Sequence, residues 1–277
     1  MYPKLGDDVF GWLNDIADFN LLLLAAIVAA MMLATTELGF QAGQWIDGRR
    51  HPSEPARQSV TFAVGGMIGL LAFLLGISMS MAGSRYEERR QSVLNEANAI
   101  GTSWLRAQTI GGDAGQEIQR LLRDYAKLRL SAIDGANGAA DTPQSLADIK
   151  AMQAELWTIA STRAQAQPTP ISALMLSSLN EVFDLATTSH RDVVARVPGF
   201  ILRLLVVVSL LVMGAMGYSS GLVGSRNFML TGLLVVLWTA TMVLIFDIDR
   251  PLAGNVLLDA SPMVWTIEDF GAPAKPR

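Results

Sequence analysis

The sequence contains no cysteine and only two histidines, His51 and His190, among its 277 residues. Without thiols the chain can form neither a disulfide framework nor a thiolate metal site. The two histidines lie far apart in polar segments, so we predict no metal site and no cofactor. Lys and Arg are outnumbered by Asp and Glu, 21 to 25. Nucleic-acid-binding proteins usually show a basic surplus, so no nucleic-acid partner is expected.

Sequence motifs of the common enzyme classes are missing as well. The chain has no P-loop, no Gly-x-Ser-x-Gly elbow and no His-Glu-x-x-His pair. We therefore expect that the protein is not an enzyme, although these motifs would not detect catalytic groups scattered along the chain.

Charged residues make up only 17% of the chain, whereas hydrophobic residues make up 51%. Soluble domains carry roughly a quarter charged residues, so the apolar excess needs surroundings other than a protein core. Four segments reach the roughly 20 apolar residues that cross about 30 Å of hydrocarbon, at about residues 20–43, 61–82, 199–223 and 227–246. They predict an integral membrane protein whose partner is the lipid bilayer. The acidic residues before the first segment argue against a cleavable signal peptide, whose first residues are basic.

The basic residues predict the orientation in the membrane. An even number of spans places both termini and the long segment 84–198 on one side. Near the membrane, that side carries Lys4, Arg85, Arg89, Arg90, Arg191, Arg196 and Arg250. The two short loops on the other side carry Arg49, Arg50, Arg57 and Arg226. Because Lys and Arg are enriched on cytoplasmic loops, this bias favours cytoplasmic N and C termini.

Segment 84–198 is predicted to be helical throughout. Its apolar residues recur three or four positions apart, which keeps one face of each helix apolar. Breaks at Gly111, in the stretch 135–143 and at Pro168 leave four helices. Strand signals are absent, so we predict an all-α membrane protein with four transmembrane helices. A long helical cytoplasmic insertion separates the second transmembrane helix from the third.

Five parts follow from this interpretation. Residues 1–19 form an amphipathic helix, which lies in the membrane interface or docks against the soluble helices. Transmembrane helices 1 and 2 occupy 20–83, the cytoplasmic helical domain 84–198, and transmembrane helices 3 and 4 occupy 199–247. Residues 248–277 form a C-terminal cytoplasmic segment.

The second span contains no helix-breaking residue at the point where its apolar run ends. The stretch LGISMSMAGSRYEERR, residues 75–90, turns from uncharged to charged without a proline. A continuous helix from Thr61 to about Ile110 would be roughly 75 Å long at about 1.5 Å per residue. Because the hydrocarbon takes up only about 30 Å, the remainder would project into the cytoplasm.

The same stretch resembles a known family. Leu75-Gly76 followed by Arg85-Tyr86-x-Glu88-x-Arg90 is similar to the end of the second membrane helix in bestrophin channels. After the fourth span, residues 249–254 resemble an Asp-x-Pro-Phe-type turn of those channels. Glu37-Leu38-Gly39-Phe40 fits the acidic-Gly-aromatic signature of the bacterial bestrophin-like domain proteins. The resemblance implies a four-span protein of the bacterial inner membrane.

The resemblance also implies a homopentamer whose second helices line a pore for small ions. Bestrophins narrow this pore with apolar residues, which correspond here to Gly69, Phe73 and Ile77. Their spacing of four places them on one helix face, and rings of apolar side chains can gate a pore by dewetting. Gly69 departs from the pattern, because it leaves one tier of the neck without a side chain. Phe73 and Ile77 could instead face lipid or other helices.

Several polar residues are candidates around this pore. Ser78 and Ser80 lie near its cytoplasmic mouth if the second helices line it. Arg85, Glu88 and Arg90 match the family signature and are expected either in salt bridges to a neighbouring helix or subunit or as solvated helix charges.

Charged residues lie at both predicted membrane boundaries. Glu37 is near the outer boundary, together with Arg57 and Arg226, where a structural ion pair is expected. Arg203 and Asp247 lie near the inner boundary, where they could pair across adjacent spans or Arg203 could snorkel to the interface.

Animal bestrophins hold Ca²⁺ with a dense acidic run after the fourth span. Here that region offers only Asp247, Asp249 and Asp259, interrupted by Arg250. Ca²⁺ takes about six to eight oxygen ligands, so we predict no calcium site.

Two functions fit these features. The first is a homopentameric ion channel with an apolar neck in the second helix. The second is a non-conducting membrane-anchored scaffold or sensor, whose cytoplasmic helical bundle binds a protein partner. Subunit stoichiometry separates them, because a monomer or dimer leaves the second helices no pore to line.

Overall fold

The structure, a computed structural model, describes residues 20–133, 142–250 and 255–271. Every regular element in these ranges is an α-helix, so the predicted all-α fold is confirmed. The helices are α1 (Leu21–Arg50), α2 (Glu54–Ile110), α3 (Gly112–Ile133), α4 (Pro143–Ala166), α5 (Pro170–Val194), α6 (Gly199–Val223), α7 (Phe228–Ile248) and α8 (Ser261–Asp269). The helix predicted for 1–19 lies outside the described residues.

Four segments of the described chain are long and apolar enough to cross a membrane, as predicted. They are α1, α2, the segment Pro170–Val223 that includes α5 and α6, and α7. A chain with this composition buries its backbone polar groups in helical hydrogen bonds, which is the requirement for a segment surrounded by lipid.

Helix α2 is continuous over 57 residues, from Glu54 to Ile110. It begins before the predicted Thr61, because Pro55 fits the first turn of a helix, where no N–H donor is needed. No break occurs at Gly83. The helix ends where Gly111 and Gly112 adopt positive φ angles of 64° and 60°, which glycine accepts without strain.

The chain divides into two compact units, and the boundary in α2 falls after Ser84. The membrane unit comprises Met1–Ser84 and Arg196–Arg250, and the helical unit comprises Arg85–Ala195 and Pro251–Arg277.

In the membrane unit, α1 packs against α6 with almost no side chain between the two backbones. A Cβ atom added at Gly39 would overlap the carbonyl oxygen of Gly214, and one added at Gly217 would overlap that of Thr36. One turn further along α6, a Cβ atom at Gly221 would overlap the carbonyl oxygen of Phe40. Small residues allow this approach, which gains van der Waals contact where lipid offers no hydrophobic driving force.

The helical unit has its own hydrophobic core, built from the second half of α2 and from α3, α4, α5 and α8. Its fully buried members include Ile100, Leu122, Leu156, Leu179 and Met263. Helix α8 is held by Met263 and by Phe270, whose ring stacks on Trp104 at 5.1 Å between centroids. Arg123 Nη2 donates to the Phe270 carbonyl oxygen at 2.5 Å.

One ion pair lies inside this core. Arg129 donates from Nε and Nη2 to the two carboxylate oxygens of Glu96, at 2.5 and 2.9 Å. Glu96 is fully buried and Arg129 is 4% exposed. Gln153 Nε2 donates to the neighbouring Tyr125 hydroxyl at 3.0 Å. Burial raises the pKa of Tyr125 to about 12, so this phenol stays protonated near neutral pH.

The α1–α6 contact generates a first prediction. Gly217→Ala places a methyl group against the Thr36 backbone and should lower the free energy of unfolding by about 1–3 kcal/mol, the usual range for overpacking. Gly232→Ala in α7 is the matched control, because its Cβ would meet nothing within 4 Å. Thermal unfolding in detergent measures both. Equal midpoints for the two variants would show that the backbones do not approach this closely.

The buried ion pair between Arg129 and Glu96 generates a second prediction. Arg129→Met leaves the Glu96 carboxylate buried without its cation and should cost about 3–5 kcal/mol. Arg120→Met removes an exposed arginine from its pair with Glu117 on the same helix and should change stability little. Adding Glu96→Gln to Arg129→Met should recover part of the loss. The measurement is chemical unfolding followed by circular dichroism, and a loss no larger than that of Arg120→Met would contradict the buried pair.

Candidate functional site

The candidate pore-lining residues lie on one exposed face of α2. Phe73 is 64% exposed and Ile77 is 42% exposed, and both are surrounded by other exposed positions of the same face. Gly69, one turn before Phe73, is exposed too, and a Cβ atom there would meet nothing within 4 Å. Ser80 continues this exposed face toward the end of the membrane unit. The structure therefore places Gly69, Phe73, Ile77 and Ser80 together on the surface of the protomer.

The opposite face of α2 is buried in the protomer. Leu71, Leu75 and Ala82 are buried, and Ser78 joins them at 2% exposure. The Ser78 hydroxyl donates to the Leu74 carbonyl oxygen at 2.8 Å, which satisfies it within its own helix. Ser78 and Ser80 thus lie on different faces, although the sequence grouped them.

The glycines of α2 differ from those of α1 and α6. Added Cβ atoms at Gly65, Gly66, Gly69 and Gly76 would meet nothing within 4 Å among the described residues. These glycines therefore do not mediate packing inside the protomer. Their flank is a smooth surface that leaves room for close approach by a further helix or for a water-filled space.

The charged signature after the membrane segment of α2 forms ion pairs along its own helix. Arg85 Nη1 lies 3.0 Å from Glu88 Oε2, and Arg90 Nη1 lies 3.7 Å from Glu87 Oε1. Both pairs join residues three apart and are exposed to solvent, where such pairs contribute little to stability.

The buried arginine of this segment is Arg89, which the sequence analysis did not single out. It is 1% exposed and donates from Nε to the Asp192 carbonyl oxygen at 3.1 Å and from Nη2 to the Ala195 carbonyl oxygen at 2.5 Å. It thereby satisfies free carbonyl groups at the end of α5, where positive charge is also favoured by the helix dipole. Its position four residues before the buried Val93 was the available signal.

At one end of the membrane unit, two arginines link neighbouring helices. Arg226 forms a bidentate ion pair with Glu37, at 2.8 and 3.1 Å, and its guanidinium lies 4.0 Å from the Phe40 ring centroid. Arg57 pairs with Asp47 at 2.5 Å and also donates to a backbone carbonyl of α6. Glu37 is thus engaged by Arg226 and not by Arg57, a choice that the sequence left open.

At the other end of the membrane unit, the charges are buried. Asp247, Asp249 and Arg250 are each less than a tenth exposed, and Arg203 is half-buried. Asp249 Oδ1 accepts a hydrogen bond from the Val197 N–H at 2.6 Å, which ties the end of α7 to the start of α6. Arg250 Nη1 donates to a carbonyl oxygen in the last turn of α7 at 3.2 Å.

Within the described ranges, no three His, Asp or Glu side chains are close enough to hold a metal ion. Asp249 and Arg250 open the second family motif and are described, whereas its residues 251–254 lie outside the described part.

Comparison with known proteins gives one family. The family model of the Bestrophin-like domain matches residues 34–263. Comparison with curated proteins returns no match.

Among solved structures, a Klebsiella pneumoniae bestrophin homologue recurs. One variant of it, with a tryptophan changed to alanine, is 16% identical with a TM-score of 0.63, over 91% of this chain and 96% of that one. Another variant, with a leucine changed to threonine, is 18% identical with a TM-score of 0.62, over 89% and 97%. The structure solved by zinc phasing is 18% identical with a TM-score of 0.61, over 88% and 96%.

At these identities the structures establish a shared fold, and the family match covers most of the chain. The resemblance predicted from Leu75 to Arg90 is therefore confirmed, and the chain is a membrane protein that belongs to the bestrophin-like family.

Proposed function

We propose that the protein is the subunit of a homopentameric ion channel, in which the exposed face of α2 lines a central pore. The observation that carries this proposal is the division of α2 into two faces. Leu71 and Leu75 are buried in the protomer, whereas Phe73 and Ile77 are exposed one turn apart on the other side. Helix α2 also carries the family signature. Its exposed apolar face could therefore pack against the same face of the other subunits around a central axis.

The neck of this pore is formed by Phe73 and Ile77. Five copies of each side chain would make two apolar rings, which hinder ions by dewetting and not by charge. Gly69 has no side chain, so the pore would be wider one helical turn before Phe73. Ser80 offers its hydroxyl at the pore mouth, whereas Ser78 acts as a packing residue.

The proposed channel lies in the bacterial inner membrane with both termini in the cytoplasm. In that orientation segment 84–198 lies in the cytoplasm, where the copies of this segment would form a vestibule. The two membrane parts, 20–83 and 199–247, supply the four spans, and 248–277 is the C-terminal cytoplasmic segment.

The boundary charges have structural roles in this proposal. The bidentate pair of Glu37 with Arg226 holds the middle of α1 against the start of α7. Asp247 and Arg203 stabilise the inner ends of their helices. Arg85, Glu88 and Arg90 remain on the exposed surface of α2, where they can contact a neighbouring subunit.

Stoichiometry is the first test of the channel. The protein extracted in mild detergent should have the mass of five chains by native mass spectrometry. A monomer or dimer would contradict the pore and would favour the alternative, a non-conducting scaffold or sensor. The helical unit has its own buried core, which suits that alternative as a binding module.

Flux through the neck is the second test. Phe73→Ala and Ile77→Ala should each raise ion flux from reconstituted liposomes by about tenfold, equivalent to lowering the barrier by about 1.4 kcal/mol. Phe200→Ala and Leu211→Ala make similar truncations at exposed positions of α6 and should leave the flux unchanged. Flux that responds equally to all four variants, or to none, would place the constriction elsewhere.

A further inference from the structure

The helical unit contains a half-open cavity that neither the pore nor the family signature accounts for. It has a volume of about 260 Å³ and lies between α3, α4 and α5. Its wall is formed by Arg129, Leu146, Ile149, Lys150, Gln153, Ala186, Thr187 and His190. All of these residues belong to the helical unit.

The polar part of the wall favours negative charge. Arg129 and Lys150 each carry a positive charge, and the wall includes no Asp or Glu among the described residues. Gln153 and Thr187 add an amide and a hydroxyl.

The charge of Arg129 is already balanced by Glu96. That pairing uses Nε and Nη2 of the guanidinium and engages both carboxylate oxygens of Glu96. Lys150 is different, because it forms no ion pair with any described residue. The positive charge available to a ligand is therefore that of Lys150.

The rest of the wall is apolar. Leu146, Ile149 and Ala186 supply hydrocarbon surface, and Ile149 and Ala186 are themselves buried. A cavity of this volume holds about nine water-sized groups, at about 30 Å³ each. It is smaller than the roughly 300–1,000 Å³ of sites for drug-sized ligands.

We infer that this cavity binds a small organic monoanion, with its carboxylate at Lys150 and its short hydrocarbon body against Leu146, Ile149 and Ala186. A ligand with one negative end and one apolar end matches both parts of the wall, whereas an inorganic anion would leave the apolar part uncovered. The site lies wholly in the helical unit, so it does not depend on conduction.

Straight-chain carboxylates test this site. Isothermal titration calorimetry of the full-length protein in detergent should show saturable binding of hexanoate, and acetate should bind at least tenfold more weakly because it buries fewer methylene groups. Hexanamide and hexylammonium have the same hydrocarbon body without the negative charge and should not bind. Binding of either at the strength of hexanoate, or no saturation by hexanoate below about 10 mM, would overturn the proposal.

Variants locate the binding. Lys150→Gln should weaken hexanoate by about tenfold, since a charge-assisted hydrogen bond is lost. Thr187→Phe, at an exposed position, should abolish binding by filling the cavity. Lys127→Gln removes an exposed lysine of α3 that pairs with Asp124 and should bind like the parent protein. Circular dichroism confirms that each variant is folded, and equal binding by folded Lys150→Gln and Lys127→Gln would overturn the assignment.

Discussion

A backbone N–H or carbonyl group in hydrocarbon has no water to replace a missing hydrogen bond, and the architecture of this protein follows from that constraint. It makes each membrane segment a helix. In α2 the helix does not stop where lipid ends, because the residues beyond Ser84 bury Val93, Ala97 and Ile100 in the core of the helical unit. The residue types of the first half of α2 are therefore determined by lipid, and those of the second half are determined by packing in the helical unit. The backbone remains one uninterrupted helix.

The features predicted correctly are those that leave local marks in the sequence. Long apolar runs identify the spans, and Gly111 marks the turn after α2, because only glycine adopts its positive φ easily. Contacts between distant residues leave no such mark. Gly39 was recognised as part of a signature, but nothing in the sequence indicated that it packs against the backbone of Gly214. Arg89 was counted as one basic residue near the membrane, although it lies buried at the end of α5.

The candidate site shows the same limit of prediction from sequence. Spacing alone groups Phe73 with Ile77 correctly, since a helix brings every fourth residue to one face. Spacing also puts Ser78 and Ser80, two residues apart, on different faces. It cannot tell which of the two faces the protomer buries, so only the packing around α2 shows that Ser78 is the buried one. The pair of Glu96 and Arg129 was missed for a related reason: buried charges look like surface charges until their neighbours are located.

The close contact of α1 with α6 has a consequence for how the membrane unit can move. Helices that pack through side chains can slide when those side chains change rotamer. At Gly39, Gly217 and Gly221 the backbones themselves touch, so there are no rotamers to exchange and any sliding would drive carbonyl groups into each other. The two helices therefore behave as a rigid body, and any movement of α2 within the membrane unit has to displace α2 against this fixed pair.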